Sequence, residues 1–235
     1  MPDSVISVNS LSFSYPDGSK ALHDISFNVY EGERLGVVGA NGAGKSTLLL
    51  HLNGILGVGN DIQVLGLNVE KKNLRAIRKS IGLVFQNPDD QLFCPTVYDD
   101  VAFGPRNMGL DEDEVARRVE ESLVAVNASE LKSRGAYHLS YGEKRRVAIA
   151  SVLAMDAKIL AMDEPTASLD PRTRHELLDL LQSLAQTQLI VTHDLDFVRS
   201  HCSRLILLAA GGVVREGEPS EILGDEELLK ANGLA

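Results

Sequence analysis

The sequence predicts an α/β fold with a P-loop nucleotide-binding core, and three features support this prediction. First, the run Gly39–Ser46 (GANGAGKS) fits the phosphate-binding pattern G-x-x-x-x-G-K-[ST] and directly follows the apolar stretch Leu35–Val38. Second, another apolar strand, Ile159–Met162, ends in two carboxylates. Third, Asp170 and Pro171 form a typical helix start, and a further apolar strand comes after that helix.

The P-loop residues have distinct roles in the expected site. The glycines let the backbone turn tightly, so that successive N–H groups and the start of the next helix face a phosphate. Lys45 supplies positive charge, and the hydroxyl of Ser46 can bind Mg²⁺. The motif therefore predicts a site for a nucleoside triphosphate.

Composition argues against several other classes of protein. The 235 residues are 44% hydrophobic and 24% charged, which is a globular composition. Because 33 acidic residues outnumber 23 basic ones, the net charge is −10, which argues against broad binding to nucleic acid or anionic lipid. We expect no nucleic-acid partner, and we expect any contact with a membrane to be made with protein.

No segment of the sequence predicts a membrane span or an export signal. The longest uncharged stretch, Ser46–Asn60, is too short and too polar to cross a bilayer, and the N-terminus lacks a charged region followed by an apolar one. Cys94 and Cys202 are isolated in the sequence, so neither a disulfide framework nor a zinc site is indicated. We therefore expect a cytoplasmic, non-secreted protein.

The N-terminal part of the chain has the pattern of β-structure. Residues 4–38 alternate apolar and polar positions around turn signals at Pro16–Gly18 and Glu31–Glu33. This pattern predicts a short antiparallel sheet that leads into the P-loop strand. A helix is then expected from about Gly44 to Leu52.

The character of the sequence changes between Gln86 and about Leu153. An acidic turn at Asp111–Glu114 is followed by apolar residues at helical spacing. These are Val115, Val119, Leu123 and Val126. We predict that this part of the chain is a mainly helical insert.

A second α/β half follows from Lys158 onward. Its strands are expected at Ile159–Met162 and Leu189–Thr192, and a hairpin at Leu205–Arg215 turns at Gly211 and Gly212. An acidic tail helix ends the chain. We expect a single domain over residues 1–235, divided into a catalytic core with its β-subdomain at about 1–86 and 154–218, a helical subdomain at 87–153 and a short tail at 219–235.

Polar side chains follow three apolar strands and are candidates for chemistry. Asp163 and Glu164 end one strand, and open α/β folds bind ligands at the carboxyl ends of their strands. Asp163 suits Mg²⁺, and Glu164 can orient or deprotonate an attacking water. His193 ends the next strand and can reach a γ-phosphate if the two strands are neighbours. Gln86 follows the apolar run Ile81–Phe85, so we expect its side chain at the same edge of the sheet.

The segment Leu139–Glu143 (LSYGE), which we call the signature motif, opens a helix over Lys144–Leu153. Ser140 and Glu143 form an S-x-x-E capping box, which accounts for the segment structurally. The same geometry presents free N–H groups and a positive helix end, so this helix start can also hold a phosphate. The chain would then have two phosphate-binding helix starts, one at the P-loop and one at the signature motif. We infer that the one at the signature motif binds a phosphate for a partner molecule.

Together these motifs resemble the nucleotide-binding domain of ABC ATPases, in the right order over nearly the whole chain. The resemblance implies ATP and Mg²⁺ as cofactors, with Tyr15 stacked on adenine and Glu164 as the catalytic base. It also implies that His193 contacts the γ-phosphate. The expected catalytic residues are therefore Glu164, His193, Lys45 and Gln86. The expected phosphate ligands are Gly39, Ala40, Asn41, Gly42, Ala43, Gly44, Lys45, Ser46 and Thr47, and the expected Mg²⁺ ligands are Ser46, Gln86 and Asp163.

The resemblance also implies a head-to-tail dimer, which can be a homodimer or a heterodimer. Ser140, Gly142 and Glu143 would complete the ATP site of the opposing subunit, and Asp170 would lie across the dimer interface. The usual family motif is LSGGQ, so Tyr141 replaces the first glycine and Glu143 the glutamine. Because Ser140 and Gly142 remain, we expect function to survive this change.

A closer resemblance comes from the segments Phe85–Phe93 (FQNPDDQLF), Pro95–Val97 and Val101–Pro105. They look like the ATPase component of energy-coupling factor (ECF) importers, especially the cobalt/nickel type. Such machines combine two ATPases on the cytoplasmic face of the membrane with a transmembrane coupling protein and a small substrate-capturing membrane protein. The segment from Gln86 to Cys94 would report the nucleotide state to a docked helix, with Phe93 as an anchor and Asp89 and Asp90 paired with basic residues.

Three alternatives to a cobalt or nickel importer remain at this point. The first keeps the same role but carries biotin or another vitamin. The second is the ATPase of an ordinary ABC importer or exporter, against which the segment Pro88–Phe93 discriminates weakly. The third is a soluble ABC ATPase that remodels a cytosolic or nucleic-acid complex. Such remodelling proteins often fuse two ATP cassettes or carry long coiled-coil inserts, and neither fits in 235 residues.

Overall fold

The computed structural model describes residues 4–234, and strands and helices alternate along most of this length. The strands are β1 (Ser4–Ser14), β2 (Lys20–Tyr30), β3 (Arg34–Val38), β4 (Ile62–Val64), β5 (Leu67–Asn68), β6 (Ile81–Val84), β7 (Ile159–Asp163), β8 (Thr187–Thr192), β9 (Arg204–Ala209) and β10 (Gly212–Gly217). The helices are α1 (Lys45–Leu52), α2 (Leu74–Ser80), α3 (Val97–Asn107), α4 (Glu112–Ala125), α5 (Tyr141–Leu153), α6 (Pro171–Ser183), α7 (Leu195–His201), α8 (Pro219–Ile222) and α9 (Glu226–Ala231).

The predicted antiparallel sheet is present, with strand order β2-β1-β4-β5. Its inner face is apolar because side chains of a strand alternate between two faces, and Ile25, Phe27 and Val29 of β2 are all buried. The short strands β4 and β5 extend the sheet beyond the segment of residues 4–38 from which it was predicted. As predicted, β2 leads through a turn at Glu31 and Gly32 into the P-loop strand, β3.

The central sheet has the order β10-β9-β3-β8-β7-β6, and β9, β3, β8, β7 and β6 are parallel. Every residue of β8 is buried, as expected for a strand that is covered on both faces. Because β8, β7 and β6 are parallel neighbours, the carboxyl ends of these strands meet at one edge. This order brings together the polar side chains that follow the three strands.

The hairpin between β9 and β10 turns one residue earlier than predicted. Ala209 pairs with Gly212, so the loop consists of Ala210 and Gly211, and Gly212 already belongs to β10. Both loop residues have positive φ, 48° and 78°. A two-residue loop with positive φ at both positions matches the right-handed twist of the flanking strands, and this geometry decides the position of the turn.

The helical insert contains α3, α4 and α5, as predicted. Asp111 caps α4 by accepting a hydrogen bond from the N–H of Glu114, and Val115, Val119 and Leu123 point into the core. These residues share one buried cluster with Leu160 and other residues of the central sheet. The insert is therefore packed on the sheet that carries the candidate site.

The tail differs from the single helix that the sequence predicts. It forms two short helices, α8 and α9, because Gly224 interrupts the chain and Asp225 begins a new helix by accepting a hydrogen bond from the N–H of Leu228. Among residues 4–234, no helix is long and apolar enough to cross a membrane.

Candidate functional site

A cleft of about 460 Å³ opens where the P-loop, the β1–β2 turn and the carboxyl ends of β6, β7 and β8 meet. This volume lies within the range of pockets that hold small-molecule ligands, about 300 to 1,000 Å³. We call it the nucleotide cleft; its lining is Tyr15, Ser19, Lys20, Ala21, Asn41, Gly42, Gly44, Lys45, Ser46, Thr47, Gln86, Asp163, Glu164 and His193. The cleft therefore brings together most of the residues selected from the sequence.

The backbone of the P-loop leaves no space for larger residues at two glycines. A Cβ at Gly39 would lie 2.2 Å from the carbonyl oxygen of Leu208. Gly44 has a φ of +100°, and a Cβ there would lie 2.4 Å from the carbonyl oxygen of Ala21. The tight loop requires glycine at both positions for steric reasons.

Lys45 begins α1, and its side chain is buried against the P-loop. Its Nζ donates hydrogen bonds to the carbonyl oxygens of Gly39, at 2.7 Å, and Ala40, at 3.2 Å. The ammonium group is therefore held inside the curve of the loop. It is the positive charge that a phosphate in this loop would meet.

Asp163 ends β7 and has the environment of a metal ligand. Its Oδ1 is buried and has no hydrogen-bond partner within residues 4–234. Burial raises the pKa of its carboxyl group, while the nearby hydroxyl of Ser46 and the charge of Lys45 act in the opposite direction. A buried, unpartnered carboxylate oxygen beside a hydroxyl fits Mg²⁺, which prefers oxygen ligands, and Gln86 adds an amide oxygen to the same cleft.

Glu164 is buried and held by hydrogen bonds from the end of β8. Its Oε2 accepts from the hydroxyl of Thr192, at 2.8 Å, and from the backbone N–H of His193, at 3.2 Å. Its Oε1 lies 2.8 Å from Nδ1 of His193. Glu164 also has a φ of +46°, a left-handed conformation that costs free energy for a residue with a side chain and often occurs at functional sites.

Tyr15 stands at the end of β1 beside the cleft. Its hydroxyl lies 3.0 Å from Oγ1 of Thr47, and its ring packs edge-on against Phe13, with 5.0 Å between centroids. The sequence did not indicate Ser19, Lys20 and Ala21, which follow the turn and also line the cleft. They could have been predicted only from their position in the hairpin that begins at Tyr15.

The signature motif lies outside the nucleotide cleft of its own chain. Ser140, Gly142 and Glu143 line a separate pocket with Thr173 of α6. The predicted capping box is present: the N–H of Glu143 donates to Oγ of Ser140 at 3.3 Å, and the N–H of Ser140 donates to Oε2 of Glu143 at 2.7 Å. The second bond is the main cause that lowers the pKa of Glu143.

Asp170 lies beside this pocket rather than in the nucleotide cleft. Its carboxylate caps α6 through the N–H groups of Arg172 and Thr173, and it accepts a hydrogen bond of 2.5 Å from the hydroxyl of Thr173. Within one chain, therefore, Ser140, Gly142, Glu143 and Asp170 are not brought to the P-loop.

Gly142 is closely packed against α6, which leads to a prediction. A Cβ at this position would lie 2.4 Å from Cγ2 of Thr173, whose side chain is fixed by Asp170. We expect Gly142→Ala to lower the free energy of unfolding by about 1 to 3 kcal/mol through overpacking, measured by urea denaturation. The double variant Gly142→Ala with Thr173→Ala should recover most of this loss, and equal stability of Gly142→Ala and wild type would contradict the steric explanation.

Comparisons with known proteins agree with this arrangement. The sequence profile of the ABC transporter family matches residues 22–167. An energy-coupling factor transporter ATP-binding protein, EcfA, from Carboxydothermus hydrogenoformans is 48% identical to this chain. The alignment covers 97% of this chain and 86% of the relative. The structure of cbiO1 from Clostridium perfringens, described as part of the ABC transporter complex cbiONQ, superimposes with a TM-score of 0.86 and 40% identity over 99% of this chain and 95% of its own.

A second solved structure is a dimer of an ATP-binding cassette in a post-hydrolysis state, bound to ADP and Pi. It superimposes with a TM-score of 0.79 and 28% identity, covering 91% of this chain and 98% of that one.

Proposed function

This chain belongs to the ABC transporter family, and we propose that it energises the uptake of a micronutrient as the ATPase subunit of an ECF-type importer. It binds ATP and Mg²⁺ and hydrolyses ATP. Cobalt or nickel ions are the proposed substrate, with biotin or another vitamin as the alternative. The proposal rests on one observation above all: the P-loop, Gln86, Asp163, Glu164 and His193 face a single cleft.

The proposed substrate rests on the segment Phe85–Phe93, which resembles the cobalt/nickel type of ECF ATPase. The relative cbiO1, with 40% identity, is described as part of the ABC transporter complex cbiONQ, which supports assembly with further subunits. The proposed partners are a second ATPase subunit, a transmembrane coupling protein and a substrate-capturing membrane protein. The chain would then be a peripheral protein on the cytoplasmic face of the membrane.

The geometry suggests how the residues divide the work of hydrolysis. Backbone N–H groups of the P-loop and Lys45 would bind the phosphates. Ser46, Asp163 and Gln86 would hold Mg²⁺, which when bound would neutralise charge on the transferred phosphoryl group. Glu164 takes a proton from the attacking water. His193 orients the carboxylate of Glu164 through its Nδ1 contact of 2.8 Å, and it lines the cleft in which the γ-phosphate would lie.

The position of the signature motif supports an ATP-bound dimer. Ser140, Gly142 and Glu143 line a pocket of their own, at a helix start whose dipole favours an anion. A second subunit placed head to tail would bring these residues to the γ-phosphate in the opposite cleft. The similar cassette of known structure is itself dimeric, which supports this arrangement.

An exposed aromatic pair supports docking of a membrane partner. Phe93 is 65% exposed and Phe103 is 48% exposed, and their rings pack edge-on at 5.0 Å. The buried carboxylate of Asp100 accepts hydrogen bonds from the N–H groups of Phe93 and Cys94, both at 2.9 Å, and so fixes the loop that presents Phe93. Exposed aromatic clusters of this kind are typical of interaction sites.

One detail of the expected docking segment differs in the structure. The carboxylate of Asp89 pairs with Lys144 of α5 at 2.6 Å, within the same chain. Asp89 therefore already has a basic partner, and the docking proposal relies on Phe93, Phe103 and the exposed carboxylate of Asp90.

An uptake experiment tests the proposed substrate. A strain that lacks this chain is complemented with wild type, with Glu164→Gln or with the control Glu227→Gln, which changes an exposed residue of α9. Cell-associated radioactive Co²⁺, Ni²⁺ and biotin are then measured. We expect Co²⁺ or Ni²⁺ uptake with wild type and Glu227→Gln only. A difference confined to biotin would support the vitamin alternative, and equal uptake of all three in every strain would contradict the proposal.

A further inference from the structure

We propose that Tyr141 and Arg145 are positioning residues that hold the backbone of Gln86, and so set its side chain for Mg²⁺ in the nucleotide cleft of the same chain. Both residues belong to α5, the helix that opens at the signature motif. The inference rests on the proposed function, because it assumes that Gln86 binds Mg²⁺.

Side chains of α5 hold the carbonyl oxygens of Phe85 and Gln86, which belong to the peptide groups on either side of the Cα of Gln86. The guanidinium of Arg145 donates from Nη1 to the carbonyl oxygen of Phe85, at 2.6 Å, and from Nη2 to that of Gln86, at 2.5 Å. The hydroxyl of Tyr141 donates a second hydrogen bond to the carbonyl oxygen of Gln86, at 2.9 Å. Two consecutive peptide groups are therefore oriented, which fixes the direction in which the side chain of Gln86 leaves the backbone.

The same helix also holds this backbone through Gln91. Oε1 of Gln91 accepts a hydrogen bond of 3.2 Å from the N–H of Phe85. Its Nε2 donates to the carbonyl oxygen of Ala148 and to Oγ of Ser151, at 2.8 and 3.0 Å. We call Tyr141, Arg145 and Gln91 the Gln86 clamp, because all three attach the start of this loop to α5.

The burial of Arg145 indicates that the clamp is more than ordinary packing. Its side chain is 0% exposed, although a guanidinium keeps its charge in proteins and burial of a charge is costly. Burial lowers the pKa of Arg145, while Tyr141 and Asp163 act to raise it. An apolar residue would fill this space without the cost of desolvation, whereas only a forked donor can serve two adjacent carbonyls at once.

Tyr141 is the position at which the signature motif departs from the usual glycine of the family it resembles. Glycine has no side chain that could donate to Gln86. The ring of Tyr141 also lies against the guanidinium of Arg145, with 5.5 Å from Cζ to the ring centroid. The departure thus adds both a donor to the clamp and a stacking partner for its buried charge.

Tyr141→Phe tests the clamp because it keeps the ring and removes the hydroxyl, which donates to the carbonyl oxygen of Gln86 and accepts from Nη2 of Arg145 at 3.3 Å. The matched control is Tyr137→Phe, the same change at a tyrosine that is 95% exposed. Two properties are measured for the full-length protein: the Kd of a non-hydrolysable ATP analogue in excess MgCl₂ and in EDTA, and hydrogen exchange of residues 81–91 without nucleotide.

For Tyr141→Phe we expect the Mg²⁺-dependent gain in affinity to fall by about fivefold, the equivalent of one neutral hydrogen bond of about 1 kcal/mol. The affinity in EDTA should stay unchanged, and amide exchange in residues 81–91 should become faster. Tyr137→Phe should behave as wild type. Arg145→Lys should give a larger loss than Tyr141→Phe, since an ammonium is a single donor centre that replaces a planar fork.

Three results would overturn the proposal. In the first, Tyr141→Phe keeps the full gain from Mg²⁺ and the exchange rates of wild type. In the second, it loses affinity equally in MgCl₂ and in EDTA, which indicates a general structural effect. In the third, wild type binds the analogue equally well in both buffers; this result contradicts the proposed Mg²⁺ site itself and is therefore distinguishable from a failure of the clamp alone.

Discussion

Replacing Glu164 by glutamine is expected to slow ATP hydrolysis by about 10² to 10⁴-fold, the usual contribution of a general base. Glutamine has nearly the same shape and can still accept a hydrogen bond from Thr192, but it cannot take a proton from water. Because Lys45, Ser46 and Asp163 are unchanged, ATP binding should persist. The ATP-bound dimer should therefore accumulate, which size-exclusion chromatography with ATP and Mg²⁺ can detect alongside a phosphate-release assay.

The control for this experiment is Glu227→Gln, which makes the same chemical change at an exposed position of α9. It should hydrolyse ATP at the wild-type rate and should not accumulate as a dimer. Normal turnover by Glu164→Gln would show that another group activates the water. In that case, the contact between Glu164 and His193 would have a structural role only.

Replacing Lys45 by alanine is expected to weaken ATP binding by about 10- to 100-fold, since a hydrogen bond to a charged group is worth about 1.5 to 3 kcal/mol. Hydrolysis should be lost along with binding. The ammonium lies within the curve of the P-loop, 2.7 Å from the carbonyl oxygen of Gly39. Isothermal titration calorimetry with ATP measures the effect directly.

Two further variants separate loss of charge from loss of packing at Lys45. Lys45→Met keeps a long apolar side chain, so it should match Lys45→Ala in ATP affinity and come closer to wild type in thermal stability. Lys71→Ala, at an exposed lysine, should bind ATP normally. Wild-type affinity in Lys45→Met would mean that the charge of Lys45 is not what binds the phosphates.

The sequence was most informative where one strand or one loop determines both structure and chemistry. The P-loop pattern predicts the strand before it, the turn that it forms and the helix after it. The apolar runs before Asp163 and His193 predict buried strands of the same sheet. Residues that end neighbouring parallel strands must meet at one edge, so the nucleotide cleft follows from local patterns once the strand order is known. The helical insert was predictable for a similar reason, because α4 has a clear cap and a regular apolar face.

The sequence was least informative where contacts join distant segments. β4 and β5 are only three and two residues long, too short for a periodic signal, and they form because β1 offers an unpaired edge. The contact of Gly142 with Thr173 depends on the packing of α5 against α6. The Gln86 clamp likewise joins residues more than 50 positions apart, and no pattern within α5 indicates that Arg145 is buried.

The most direct test of the proposed function is to purify the tagged full-length protein from detergent-solubilised native membranes and identify what remains bound by mass spectrometry. The proposal predicts two integral membrane proteins, a transmembrane coupling protein and a small substrate-binding one, in stable association with this ATPase. Exchange of Phe93 and Phe103 for serine should weaken that association if the exposed aromatic pair contacts them. Recovery of soluble partners alone, with no integral membrane protein, would contradict a role in transport and would favour the ATPase that remodels a cytosolic complex.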